Sequence, residues 1–254
     1  MNNEAVFIAF RAICNFINDL ESVYGLKYKQ LRLYHRLINQ TQIGHIEAIN
    51  KHVSIFREFC LTNREAIYEK DSTKLKASST VSYSNKVYIN FNHMFDIAEP
   101  DTKPIIWRHL LTISALLDPA GNAKNILKES KVETDSNETD FLTDMISAIE
   151  TKIDPNATPV EAMTTMLQSG VVTDLLSSMN GSMKEGKLDM SKLLGAVGKM
   201  VGKLESQTGE DEGSKKMFNM VNGIIGSMEN GEQPDIGTMM SMLTSTMANP
   251  AFKK

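Results

Sequence analysis

Apolar residues recur at three-to-four spacing through the first part of the chain. Phe7, Phe10, Ile13, Cys14, Ile17 and Leu20 line one face of a helix that ends near Gly25. A second stripe runs through Leu31, Tyr34, Leu37 and Ile38 and breaks at Asn39-Gln40-Thr41. A third uses Ile46, Ile49, Val53, Phe56 and Cys60, with Phe59 beside them. Asn63 then stands as N-cap of a short helix containing Ala66 and Ile67. Over 79–91 the period changes. Val81, Tyr83, Val87, Tyr88 and Ile89 are β-formers grouped around Ser84-Asn85, which predicts a small hairpin. Two strands alone are marginal in water, so the hairpin reads as an accessory. Pro104 fits the first turn of another helix, buried through Ile105, Ile106, Leu110, Ile113 and Leu117 and stopped by Asp118-Pro119. The polar, acidic run 131–140 (KVETDSNETD) reads as a linker.

Beyond the linker the pattern is one of short capped helices. Thr158-Pro159-Val160-Glu161 is a capping box with proline at the first helical position, and Gly170 ends that helix. Another covers about 171–184 and stops at Gly186; Asp189 caps a longer one over 190–206. Ser214 caps a helix to about 228, and a last one runs from about 236 to 248. Gly181-Ser182-Met183, Gly186, Asp189 and Met190 recur as Gly226-Ser227-Met228, Gly231, Asp235 and Ile236. The two copies begin 45 residues apart, a period that suits stacked helical hairpins.

Composition divides the chain at the same place. Residues 1–130 hold 14 of the 17 aromatics, all five histidines, both cysteines and every arginine. Residues 131–254 hold 14 of the 16 methionines and 12 of the 15 glycines. Aromatics fix a unique core, whereas flexible thioethers adapt to irregular surfaces. The expected architecture is therefore mainly α: an aromatic-rich helical bundle with a small β-hairpin (1–130), the acidic linker (131–140), and short Met-rich helical hairpins (141–254). Charge splits too. Residues 1–130 carry 16 Lys+Arg against 13 Asp+Glu, and the rest 11 against 18. The acidic second part is a poor match for a phosphate backbone. Met1-Asn2-Asn3-Glu4 lacks the positive start of a secretory signal, no apolar run approaches a bilayer span, and two cysteines make no disulfide framework. A reducing, cytoplasmic setting is the expectation.

No catalytic constellation emerges. His45 and His52 lie seven apart without the further ligands a zinc site needs. Gly121-Asn122-Ala123-Lys124 lacks the second glycine and the Ser/Thr of a phosphate loop, and there is no G-x-S-x-G elbow. Glu210-Asp211-Glu212 lacks the alternation of a calcium loop. The residues therefore imply no metal or cofactor and favour a non-catalytic role. Three surfaces are candidates for binding. Lys27, Lys29, Arg32 and Arg36 interleave with Tyr28 and Tyr34, a pattern that can neutralise phosphates and stack on bases; the alternative places Tyr34 in the core beside Leu31 and Ile38. The 190–206 helix gathers Leu193, Leu194, Val197, Met200, Val201 and Leu204 on one face and Lys192, Lys199 and Lys203 on another. That suits an anionic membrane surface or, alternatively, a neighbouring helix. Met163, Met166, Met217, Met220, Met239, Met240 and Met242 sit at helical spacing and offer an adaptable face for a protein partner or self-association.

The run Phe56-Arg-Glu-Phe59, Asn63 and Ala66-Ile67, then Lys86-Val-Tyr-Ile-Asn90, then Ile106-Trp-Arg-His-Leu-Leu-Thr-Ile113 resembles uncharacterised helical proteins of large DNA viruses infecting protists. Asp154-Pro-Asn-Ala-Thr158 and the LLSSM and LLGAVGKMVG stretches are similar in style to the ends of those proteins. The resemblance implies a virus-encoded interaction or assembly component, late or virion-associated, in the host cytoplasm, viral factory or particle. Its motifs carry no catalytic residues.

Overall fold

In the computed structural model the described residues are 3–77, 79–133, 137–152, 174, 177–179, 181–182 and 185–208. They are mainly helical with one two-stranded antiparallel hairpin. In chain order come α1 (Asn3–Tyr24), α2 (Lys29–Gln40), α3 (Ile46–Thr62) and α4 (Arg64–Glu69). A 3-10 turn (Ser72–Lys74) leads to β1 (Thr80–Ser84), β2 (Val87–Asn90) and α5 (Phe91–Ile97). α6 (Lys103–Leu117), α7 (Pro119–Glu133), α8 (Asn137–Lys152) and α9 (Met190–Thr208) follow.

The three N-terminal stripes converge as their spacing requires. Ile13, Phe16, Ile17, Leu31, Tyr34, Ile49 and Phe56 are fully buried in one cluster with α6's Leu110 and Ile113. Rings knit it together: Phe16 lies 5.9 Å from Phe91, Phe91 lies 4.5 Å from Phe59, and Phe95 stacks on Trp107 at 4.2 Å. The hairpin is no accessory. Val81 pairs with Ile89 across the strands, and both are fully buried in this core against α2 and α3. Packing on the helices removes the marginality of an isolated hairpin.

Two further expectations are corrected, and one helix was not anticipated. Asn63 precedes α4 but makes no capping bond there. Its amide donates instead to Phe59 O (2.9 Å), and its Oδ1 accepts from Lys76 N–H (3.0 Å) and the Ser79 hydroxyl (2.6 Å), tying α3 to the hairpin. Asp118-Pro119 ends α6 but at once starts α7, a helix the weak apolar pattern of 119–133 concealed. The 131–140 linker is helical at both described ends, with α7 reaching Glu133 and α8 beginning at Asn137. Two of its acids, Glu138 and Asp140, lie in α8's first turn and complement the positive helix end. Glu138 is buried and accepts a hydrogen bond from Asp189 N–H at 2.9 Å, just before α9.

The division at residue 130 does not coincide with a break in packing. α7 lies against α8 and α9, and α9 also meets α6. A second, smaller cluster holds this layer together: Leu127, Leu142 and Leu193, with Phe141, Met145, Met179, Val197 and Met200 around them. Asp189 caps α9 as expected, its Oδ1 accepting from Lys192 N–H at 3.2 Å, after a turn at Gly186, whose φ of +67° suits glycine. The helices expected at 158–170, 214–228 and 236–248 and the repeat's second copy lie outside the described residues, as does most of that expected at 171–184.

Candidate functional site

The most polar constellation lies where α4, α7 and α8 meet. Asp118, nearly fully buried, sits between α6 and α7 with proline next, the arrangement of an N-cap followed by Pro at N1. Its Oδ1 accepts from Gly121 N–H (3.1 Å) and from Arg64 Nη2 (2.7 Å), and its Oδ2 from Arg64 Nε (2.6 Å). This two-pronged geometry is the strongest form of carboxylate–guanidinium contact. Arg64 Nη2 also donates to Glu150 Oε1 at 2.8 Å, and Lys124 donates to the other Glu150 oxygen. The Asp118 bond above all keeps the Arg64 guanidinium charged. Glu150 resists desolvation because Lys124 and Arg64 hold it below the usual carboxylate range. Gly121 makes room for the pair. A Cβ there would lie 2.2 Å from Asp118 Oδ2 and 2.4 Å from Arg64 Nε.

A cleft of about 430 Å³ opens beside this network, lined by Arg64, Glu65, Tyr68, Glu69, Lys124, Lys128 and Asp140 among others. Its charges are already matched. Lys74 bridges Glu65 and Glu69, Lys128 lies 3.5 Å from Glu69, and Arg64 and Lys124 share Glu150. The arrangement clamps α8 onto the body. No group of three or more His, Cys, Asp or Glu able to hold a metal occurs among the described residues.

His52 is a core histidine. Its Nδ1 lies 3.0 Å from the Tyr34 hydroxyl and its Nε2 3.5 Å from Thr41 Oγ1, whose own hydrogen goes to Leu37 O. Nδ1 thus accepts and Nε2–H donates. Burial, helped by Lys51, lowers its pKa to about 4, so the ring is neutral at pH 7. His45, the other histidine of the seven-residue spacing, is exposed. Both cysteines are free, and burial pushes Cys14 up to about 11 and Cys60 higher still. Neither is a thiolate at neutral pH.

The basic face divides into two classes. Lys27, Lys29, Arg32 and Arg36 are all exposed. Tyr28 and Tyr34 are buried and cannot stack on bases as expected; Tyr28 Oη accepts from Asn90 N–H (2.9 Å) and Tyr34 bonds His52. Burial first, then the neighbouring Tyr88 phenol, push the Tyr28 hydroxyl up against the lowering effect of Asn90.

α9 keeps its amphipathic pattern, but Leu193, Val197 and Met200 face the α7–α8 layer, which corrects the membrane-surface expectation for these residues. Lys192 and Lys199 face solvent, and Lys203 reaches Glu129 at 3.4 Å. No helix among the described residues is long and apolar enough to cross a membrane. Met163, Met166, Met217, Met220, Met239, Met240 and Met242 lie outside the described residues.

A different apolar surface was missed in the sequence. α1 and α6 run antiparallel, pinned by Tyr24 Oη to Thr102 Oγ1 (2.6 Å) and by His109 to Asp19 (2.8 Å). Between them lies a groove of about 290 Å³ floored by Phe16, Leu20 and Ile106 and rimmed by Val23 and Ile105. Val23 is 54% and Ile105 43% exposed, and Leu26, in the turn after α1, is 95% exposed. Val23 falls off α1's apolar stripe and Leu26 lies past its end, whereas Ile105, expected on α6's buried side, is exposed instead.

A family of unknown function (DUF5891) matches residues 9–203. The match runs from α1 into α9, across the composition break. No curated protein and no solved structure matches the chain.

Proposed function

The chain belongs to the DUF5891 family, and from that premise we propose that it is a non-catalytic interaction or assembly component. The observation that carries this reading is the α1–α6 groove. Val23, Leu26 and Ile105 remain exposed on a rigid body whose other large apolar side chains are mostly buried. Arg64, Lys124 and Lys74, by contrast, are spent on internal ion pairs. Exposed apolar residues around a preformed groove mark a surface for a protein partner or a second copy. In this reading the methionines at 163, 166, 217, 220, 239, 240 and 242 add an adaptable second contact. The resemblance to proteins of large DNA viruses of protists extends the proposal to a late or particle-associated component, checked by looking for the chain in purified particles.

Crosslinking mass spectrometry on the full-length protein in its native cells tests the reading, wild type beside a Val23→Asp, Leu26→Glu, Ile105→Glu variant. Intermolecular crosslinks are expected at Lys27 and Lys103, which flank the groove, and should vanish in the variant. Crosslinks confined within single chains, or unchanged by the variant, overturn the groove as the contact. Loss on changing Met239, Met240 and Met242 together to Ser supports the second contact.

A further inference from the structure

α2 contains no acidic residue, and its solvent face is Lys29, Arg32 and Arg36, with Lys27 just before it. Among the described residues these four cations make no side-chain ion pair or hydrogen bond, unlike Arg64, Lys74, Lys124, Lys128, Lys187 and Lys203. α2 lies along the outer edge of β2, as the Asn90 N–H to Tyr28 Oη bond requires. Strand alternation puts Tyr88 on the hairpin face opposite Val81 and Ile89, where it is half-buried. Lys86 is exposed at the hairpin turn.

We propose that α2's outer face and the hairpin's Tyr88 form a binding site for single-stranded nucleic acid. Lys29, Arg32 and Arg36 meet successive phosphates, Lys27 and Lys86 extend the track, and Tyr88 stacks on a base. Lys29 to Arg36 spans roughly 10 Å at 1.5 Å per residue, about three phosphates of one strand. An aromatic beside a cation track is the usual platform for single strands. A membrane surface fits less well, because α2's apolar face (Leu31, Tyr34, Ile38) is buried in the body and has nothing to insert. An acidic peptide would use the cations but not Tyr88.

The test uses the full chain and a fluorescein-labelled 20-nucleotide oligo-dT, read by anisotropy from 50 to 200 mM salt. Binding is expected with log K falling against log salt at a slope of about −2 to −3.5, since each of three to five phosphates contributes about −0.7. Lys29→Glu with Arg32→Glu, both at exposed positions, should weaken binding at least ~10-fold by removing two phosphate contacts and adding repulsion. Tyr88→Ala should weaken it by ~5-fold or more, the size of a lost base stack. Charge reversal of Lys192 and Lys199 on α9 should change it less than ~2-fold, because those lysines lie off the proposed phosphate track. No binding at 50 mM salt overturns the proposal. So does equal loss from the α9 reversal, which would mean undirected charge. Equal binding of anionic vesicles or polyglutamate, insensitive to Tyr88→Ala, also overturns it.

Discussion

The body formed by α1 to α6 with the hairpin, and the layer formed by α7, α8 and α9, are secured in different ways. The body closes over stacked rings from five helices: Phe16 from α1, Tyr34 from α2, Phe56 and Phe59 from α3, Phe91 from α5 and Trp107 from α6. The layer centres on three buried leucines, one per helix, with methionines and one phenylalanine filling around them. It compensates with charge, through Arg64 and Lys124 holding Glu150 and through Glu138 receiving Asp189 N–H. Ring packing gives the body one arrangement. A small aliphatic cluster with an ionic clamp gives the layer a weaker hold that a single substitution can loosen.

The sharpest test of that contrast pairs two truncations. Phe56→Ala removes a fully buried ring that packs edge-on against Tyr34 at 6.3 Å. It should cost about 4 kcal/mol and lower the global unfolding midpoint. Leu142→Ala should cost only about 2 kcal/mol, because the thinner cluster can close around the gap. Its effect should be local, with amide exchange rising in α8 and α9 before the body. Equal, global losses from both would mean that body and layer unfold as one.

Acid titration separates body from layer next. The folded-state pKa of His52 is about 4, below the roughly 6.5 of an exposed histidine. The unfolded chain therefore binds more protons between these values. Stability from this group is complete above pH 6.5, falls as pH drops, and has lost about 3 kcal/mol below pH 4. His52→Phe, whose ring suits neighbours Phe10 and Tyr83, should flatten that acid limb. An unchanged limb in the variant places the acid sensitivity in other groups, with the Glu150 clamp first among them.

Much of the body was legible because helical periodicity reports burial: the stripes of α1, α2 and α3 are buried or half-buried, save Ile46 at the start of α3, which is exposed. Hairpin position and the Pro104 start were legible as well. The layer was not. α7 has few apolar residues, and a run such as KVETDSNETD has the composition of a linker although two of its acids, Glu138 and Asp140, lie in a helix's first turn. The Arg64–Asp118–Glu150 clamp was invisible because its members lie 54 and 86 positions apart, and only Asp-Pro at 118–119 hinted at it. Tyr28 and Tyr34 misled for a related reason: sequence places an aromatic among cations without saying which way its ring faces.

Gly121 links body and layer, since its missing Cβ lets Arg64 reach Asp118. Gly121→Ala should raise helix propensity in α7 by close to 1 kcal/mol, yet it forces apart a buried, two-pronged ion pair. The net should be a loss of about 2 kcal/mol, since separating a buried pair costs about 3 to 5 kcal/mol. A thermal midpoint above wild type would show that Arg64 swings clear at little cost.

The smallest effect belongs to Glu150→Gln. Glu150 is about a third exposed, so solvent screens its pairs with Arg64 and Lys124. The expected loss of global stability is about 0.5 to 1 kcal/mol. What should change more is α8, whose carboxylate contact with the body is weakened while Leu142 stays buried. Amide exchange should accelerate along α8 and leave α1 to α6 untouched. Raising the salt concentration should reproduce part of that acceleration in wild type and little in the variant, because the charge being screened is then already gone. Uniform acceleration across α1 to α8 would instead make the clamp part of the body's own core.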